Sequence, residues 1–196
     1  MRLIALASML FLGVATAAGA QALPNDATQS GDVALTYHWV RTNTQPADCG
    51  CFDLNGGALS ASWNLPHRWA AVAEISGEYA GSGPTTGDTL TLVSYLAGMR
   101  YRLPQLWTHS AHALQPFAQA LVGSGHAGGG LAGAGDGTRA FVARMGGGVE
   151  LPLGSKIALR VIQADYYLTN YANGVNAHQN NLLLGAGVVF HWSIQK

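Results

Sequence analysis

The chain has 196 residues, enough for one domain, and a formal net charge of zero that implies neither a nucleic-acid footprint nor an acidic partner. Charged residues are scarce at 10%, against about a quarter in a soluble domain, and glycine is abundant at 26. No apolar run after the N-terminus is long enough for a transmembrane helix, so any membrane-facing hydrophobicity must be carried by alternation.

Residues 1–22 read as a secretory signal peptide. Arg2 supplies a short positive region, Leu3 to Ala18 is an apolar run diluted by Ser8, Gly13 and Thr16, and Ala18-Gly19-Ala20 and Ala20-Gln21-Ala22 are both A-x-A cleavage candidates. A membrane anchor is the competing reading of this stretch. No Cys follows either site, which argues against a lipid-modified N-terminus. Residues 23–31 form a polar periplasmic lead with Pro24, Asn25 and Asp26.

Period-two alternation, the geometry of a β-strand, then predicts eight strands over residues 32–193. In the first, 32–41, Val33, Leu35, Tyr37 and Trp39 share a face. In the second, 53–65, Leu59, Ala61, Trp63 and Leu65 oppose Ser60, Ser62 and Asn64. In the third, 68–79, Trp69, Ala71, Ala73, Ile75 and Tyr79 oppose Val72, Glu74, Ser76 and Glu78. The fourth, 89–103, sets Tyr95, Ala97, Met99 and Tyr101 against Ser94, Gly98, Arg100 and Arg102. The fifth, 113–124, contains Pro116, which belongs at a strand end or bulge. The sixth, 138–151, sets Phe141, Ala143, Met145 and Val149 against Arg144, Gly146, Gly148 and Glu150.

The seventh strand, 156–169, does not alternate cleanly. Ile157, Leu159 and Val161 favour a lipid face that puts Arg160 inside, but Gln163 and Asp165 have the opposite parity. Either a β-bulge near Val161-Ile162 reconciles them or Arg160 points outward and snorkels at the rim. In the eighth strand, 181–192, Leu182, Leu184, Ala186, Val188, Phe190 and Trp192 form a continuous apolar face, with Asn181, Gly185, Gly187 and His191 opposite. Its length matches the roughly 9–11 residues of a membrane-spanning strand.

The expected architecture is all-β: a closed antiparallel eight-stranded transmembrane β-barrel. Leu65–Arg68 and Leu151–Ser155 are tight connections; 42–52, 80–88, 125–137 and 170–180 are longer. Short turns then lie in the periplasm and long loops outside, with Pro104–His112, which carries Trp107, as a long exception. Export and strands together imply the outer membrane of a double-membraned bacterium.

This pattern resembles the OmpA/OmpX-type eight-stranded outer-membrane barrels of the porin-like family, over about 30–192. Ile157-Ala-Leu-Arg-Val-Ile-Gln-Ala-Asp-Tyr-Tyr-Leu-Thr-Asn-Tyr171 is similar to their penultimate strand. The final strand resembles the family's assembly signal, a polar residue then x-Gly-x-x-aromatic-x-aromatic, at Gly187, Phe190 and Trp192. Gly185 stands where the polar residue is expected, and the chain continues through Ser193–Lys196. The resemblance implies contact with outer-membrane lipid and the barrel-assembly machinery, and a monomer; no peptidoglycan-binding domain follows, so the anchoring role of two-domain relatives is not expected.

Parity also predicts an interior charge network of Glu74, Glu78, Arg100, Arg102, Arg144, Glu150 and Asp165, with Arg160 depending on the bulge. The expected pairings join neighbouring strands: Glu74 and Glu78 beside Arg100 and Arg102, with Glu74 nearest Gly98 to Arg100, and Arg144 and Glu150 beside Asp165. Glu78, Arg102 and Glu150 are expected toward the wet ends. An eight-stranded lumen holds only side chains, and buried charges there must be paired, so the expectation is an ionic plug.

No constellation demands catalysis, a metal or a cofactor. Cys49-Gly50-Cys51 is too small a ligand set for zinc, and in an oxidising compartment it reads as a loop disulfide candidate, within the pair or with a partner. The seven His are scattered, and Gly128–Gly137 lacks the helix and Lys of a phosphate loop. The expected function is a structural or surface-interaction role without a wide pore, with an extracellular ligand reached through the long loops. The alternatives are a small-solute porin and a lipid A-modifying enzyme using His38 with Ser60 or Glu78, whose groups would have to face lipid.

Overall fold

The computed structural model describes residues 29–43, 52–81, 89–106, 113–129, 138–171 and 178–194. Eight strands run β1 (Gln29–Arg41), β2 (Asp53–Asn64), β3 (Trp69–Ala80), β4 (Leu90–Arg102), β5 (Gln115–Gly129), β6 (Thr138–Pro152), β7 (Ile157–Thr169) and β8 (Gln179–Ile194). They form a closed barrel in sequence order, antiparallel throughout the ladders from β1 to β8. Ser30–Ser193 make up the barrel unit. Closure leaves no sheet edge unpaired, which is the one way a sheet satisfies its backbone in lipid.

Alternation decides which face each side chain takes. β3 alternates exposed and buried along its whole length. Leu35, Tyr37, Leu59, Trp63, Ile75, Tyr79, Tyr95, Met99, Val122, Phe141, Met145, Leu182 and Phe190 all stand outward on the barrel wall. A soluble protein would bury such residues; here the polar ones, such as Asp32, Glu74, Arg100 and Arg144, are buried instead.

The parity conflict in β7 resolves as a bulge. Glu150 pairs with Arg160 and Val149 with Ile162, while on the other side Arg160 pairs with Gly187 and Gln163 with Gly185. Val161 and Ile162 are both exposed, and Arg160, Gln163 and Asp165 are all buried. One extra residue thus turns both halves of the strand to the right face.

Several strand boundaries differ from expectation, and β1 begins at Gln29, so the end of the expected 23–31 lead is already strand. β5 runs to Gly129 instead of ending at Ser124, because Gly125 to Ala127 pair with Ala140 to Thr138. A main-chain ladder does not need side chains, so the glycine-rich composition there conceals strand rather than loop. Beyond β4, a bridge between Leu106 and Leu114 carries the pairing into the segment expected as a long loop. Trp107, His109 and His112 lie outside the described residues.

The β2–β3 connection is a tight turn over Pro66–Arg68. The Leu65 amide donates to the Trp69 carbonyl at 2.8 Å. His67 and Arg68 both take positive φ, 61° and 67°, a region that favours glycine. The start of β1, this turn, the β6–β7 turn and the end of β8 share one end of the barrel, called here the turn end. The opposite, loop end carries the connections after β1, β3, β5 and β7.

Candidate functional site

The lumen is filled by stacked side-chain layers, and the first lies near the turn end. Asp32 on β1 accepts from Ser62 Oγ at 2.6 Å and from Arg100 Nη1 at 3.5 Å, and it pairs with Arg102, which also donates to Asn64. Arg100 in turn donates from Nε and Nη2 to Gln119 Oε1 at 3.3 and 3.1 Å. Gln119 and Gln163 both donate to Asp165 Oδ2, at 3.1 and 2.6 Å. Arg160 closes the run, donating to Gln163 Oε1 at 2.9 Å and to Glu150 Oε1 at 3.1 and 2.8 Å. The result is one continuous chain of hydrogen bonds from Asp32 to Glu150.

Phe117 sits inside that chain. The guanidinium carbons of Arg100 and Arg160 lie 4.7 and 5.0 Å from its ring centroid. The space exists because Gly148 has no side chain: a Cβ there would come within 2.8 Å of the Phe117 ring. A ring shared by two cations places their charges against a π face and away from other apolar surface.

The next layer is centred on Arg144 of β6. Its Nη1 donates to Glu74 Oε1 at 2.5 Å, and its Nη2 to Ser76 Oγ at 2.9 Å and Glu78 Oε1 at 3.2 Å. Its guanidinium lies 4.7 Å from the Tyr167 ring, and the Tyr167 hydroxyl is 2.9 Å from Ser94 Oγ. His38 Nδ1 is 3.3 Å from the same Glu78 oxygen. In all, four interior guanidiniums (Arg100, Arg102, Arg144, Arg160) face five carboxylates (Asp32, Glu74, Glu78, Glu150, Asp165), with His38 beside Glu78. Near-neutral balance is what a desolvated space requires.

Toward the loop end the interior turns apolar. Val40, Leu54, Leu90, Leu92, Val142, Leu183 and Tyr171 pack together above the charged layers. A cavity of about 40 Å³ remains there, room for a water or two, edged by Thr42, Thr169, Gln179 and Asn181. Thr42 Oγ1 and the Phe52 carbonyl, 2.8 Å apart, close its rim.

All seven charged residues expected inside are interior, but their partners differ from expectation. Glu74 is in register with Leu96, not with Gly98 to Arg100, and it binds Arg144 across the lumen. Arg100 and Arg102 bind Asp32 of β1 rather than the β3 glutamates. Arg144 reaches β3, and Asp165 is held by two glutamines. Glu78 and Glu150, expected toward the wet ends, are buried at 1% and 3% exposure; of the three so expected, only the Arg102 side chain retains some, at 18%. Arg100, Arg102 and Arg144 reach carboxylates across the narrow lumen, while Arg160 and Glu150 pair along the wall between adjacent strands.

Asp32 was missed as a partner, although parity with Ala34 and Thr36 would have placed it inside. Gln163 shares the inward parity of Asp165 on β7, but nothing local marks Gln119, which reaches Asp165 from β5. On β8, Gly187 lies against the β1 backbone, where an added Cβ would meet Thr36 Cα at 2.7 Å. Phe190 is exposed on the wall, and Trp192 packs edge-on against Trp63 with centroids 4.9 Å apart. Cys49 and Cys51 lie outside the described residues. Among the described residues no group of three or more His, Cys, Asp or Glu is placed to hold a metal.

No family model matches the chain, and no curated protein matches it by sequence. Solved structures match in shape. Neisserial surface protein A aligns with 82% of this chain and 96% of its own, at a TM-score of 0.59 and 14% identity. Ail, the attachment invasion locus protein of Yersinia pestis, aligns with 84% and 99%, at 0.49 and 14%. The N-terminal β-barrel domain of Pseudomonas aeruginosa OprF aligns with 83% and 99%, at 0.47 and 16%. At 14% identity the likeness to the Neisserial protein is one of fold, that of a closed eight-stranded transmembrane barrel.

Proposed function

We propose that this chain is an integral protein of a bacterial outer membrane, exported by its N-terminal signal. Its barrel is a sealed stalk, and its loop end faces outward to make surface interactions. The observation that carries this reading is the inversion of the barrel: apolar and aromatic side chains outside, a hydrogen-bonded ion network inside. The outward face suits lipid, and the filled lumen argues against a solute porin. The lipid A-modifying alternative is not supported by the residues it would use, since His38, Ser60 and Glu78 are all buried in the lumen, away from the lipid face. Gly187, Phe190 and Trp192 are read as the signal that the barrel-assembly machinery takes up.

Placement and orientation are tested together by inserting an epitope tag between β3 and β4, at 82–88, and a second in the β6–β7 turn near Gly154. On intact cells the first should bind antibody and the second only after the envelope is permeabilised. The reverse pattern, or a protein recovered in the soluble fraction, defeats the reading.

A further inference from the structure

Outward side chains near the loop end stand in rows across neighbouring strands. Tyr95, Ser124 and Phe141 are in register on β4, β5 and β6, and all three are exposed. Aromatic residues in such a band mark the membrane–water interface. The next outward row toward the loops is Val93, His126 and Arg139. It stands two residues further along the strands, about 7 Å, which puts it at the level of lipid headgroups.

His126 and Arg139 are directly opposite each other and both are exposed. An imidazole opposite a guanidinium across a ladder offers it no counter-charge. On the far wall the equivalent cation is answered: Arg41 is in register with Asp53, and Nη1 lies 2.8 Å from Oδ1. No described carboxylate plays that part for Arg139. Asp32, Glu74, Glu78, Glu150 and Asp165 are buried in the lumen, and Asp53 is held by Arg41. The sheet therefore presents a two-residue basic site on its lipid-facing side, at the depth where the surrounding medium supplies phosphate.

We propose that His126 and Arg139 bind the phosphate of an anionic lipid headgroup in the leaflet at the loop end. Arg139 supplies the planar fork that donates to two phosphate oxygens, and His126 supplies a second donor from the adjacent strand. The site rests on the reading of the chain as an outer-membrane barrel and gives that barrel a specific lipid contact on one wall.

The test uses the full mature chain folded in dodecylmaltoside, with diphosphoryl lipid A added and the retained lipid counted by native mass spectrometry. Heat-modifiable gel migration is recorded for every sample, so failure of the barrel and failure of the site are read separately. The wild type should retain one lipid A. Arg139→Gln and His126→Gln should each lower retention about tenfold, the loss of one charge-assisted contact, while Arg139→Lys keeps part of it and Arg41→Gln changes nothing. Lipid A stripped of both phosphates should bind the wild type as weakly as diphosphoryl lipid A binds Arg139→Gln, and inorganic phosphate at millimolar concentration should not displace the lipid. Equal retention by folded Arg139→Gln overturns the site, as does full displacement by inorganic phosphate. A wild type without heat-modifiable migration overturns the barrel reading, and the site with it.

Discussion

Arg144 on β6 reaches across the lumen to Glu74 on β3, Nη1 to Oε1 at 2.5 Å, both side chains buried. The same guanidinium holds Glu78 at 3.2 Å. Removing one partner of such a pair leaves the other charged and desolvated, at a cost of about 3–5 kcal/mol. Arg144→Ala should lose stability by that amount in urea titrations of the folded barrel in micelles. Glu74→Ala should lose less, because Glu78 remains to answer Arg144. Unchanged stability in Arg144→Ala would show that water already reaches the pair.

Phe117 makes its own prediction. Two guanidiniums stack on one ring, at 4.7 and 5.0 Å. Phe117→Leu keeps much of the volume and removes the π face, so it should cost about 2 kcal/mol, the scale of a desolvated cation–π contact. Phe117→Leu in an Arg100→Met background should cost measurably less. Equal losses in both backgrounds would mean that only packing is at stake.

The lipid face is tested by charge. Val188 lies outward on β8, in register with Leu159. Val188→Arg near the bilayer midplane should destabilise the barrel by roughly 2–4 kcal/mol in vesicle-folding titrations. The larger but still apolar Val188→Leu should be close to neutral at this outward position.

The closing aromatics separate assembly from stability. If Phe190 and Trp192 act as the assembly signal, changing both to Ser should reduce outer-membrane insertion in cells while purified protein still folds in detergent. Insertion at the wild-type level removes the signal role from these two residues.

At the β2–β3 turn, His67 and Arg68 hold positive φ without being glycine. Left-handed backbone costs roughly 1–2 kcal/mol in a residue with a Cβ. Arg68→Gly should therefore stabilise the barrel by about 1 kcal/mol, read as a higher urea midpoint. A destabilised variant would show that the Arg68 side chain makes contacts worth more than the strain.

The outward and inward faces were legible because a half-buried strand writes its environment into every second residue. Even the irregular strand was legible: the opposed parities of Arg160 and Asp165 have no regular solution, and the bulge at Val161-Ile162 is the one the structure adopts. The partners inside were not legible. Asp32 meets Arg100 and Arg102 three strands away, as Glu74 meets Arg144, because an eight-stranded lumen is narrow enough for a long side chain to span. Pairing along the wall is a property of adjacent segments. Pairing across the lumen depends on closure and register, which belong to the whole sheet.

The central claim is that this interior is a plug. Among the described residues, both charged layers and the apolar packing above them fill the lumen with buried side chains. Single-channel recording of the wild-type barrel in a planar bilayer tests it most directly. The account predicts a flat baseline broken at most by brief, small events. Steady, large conductance steps from folded wild-type protein would contradict it.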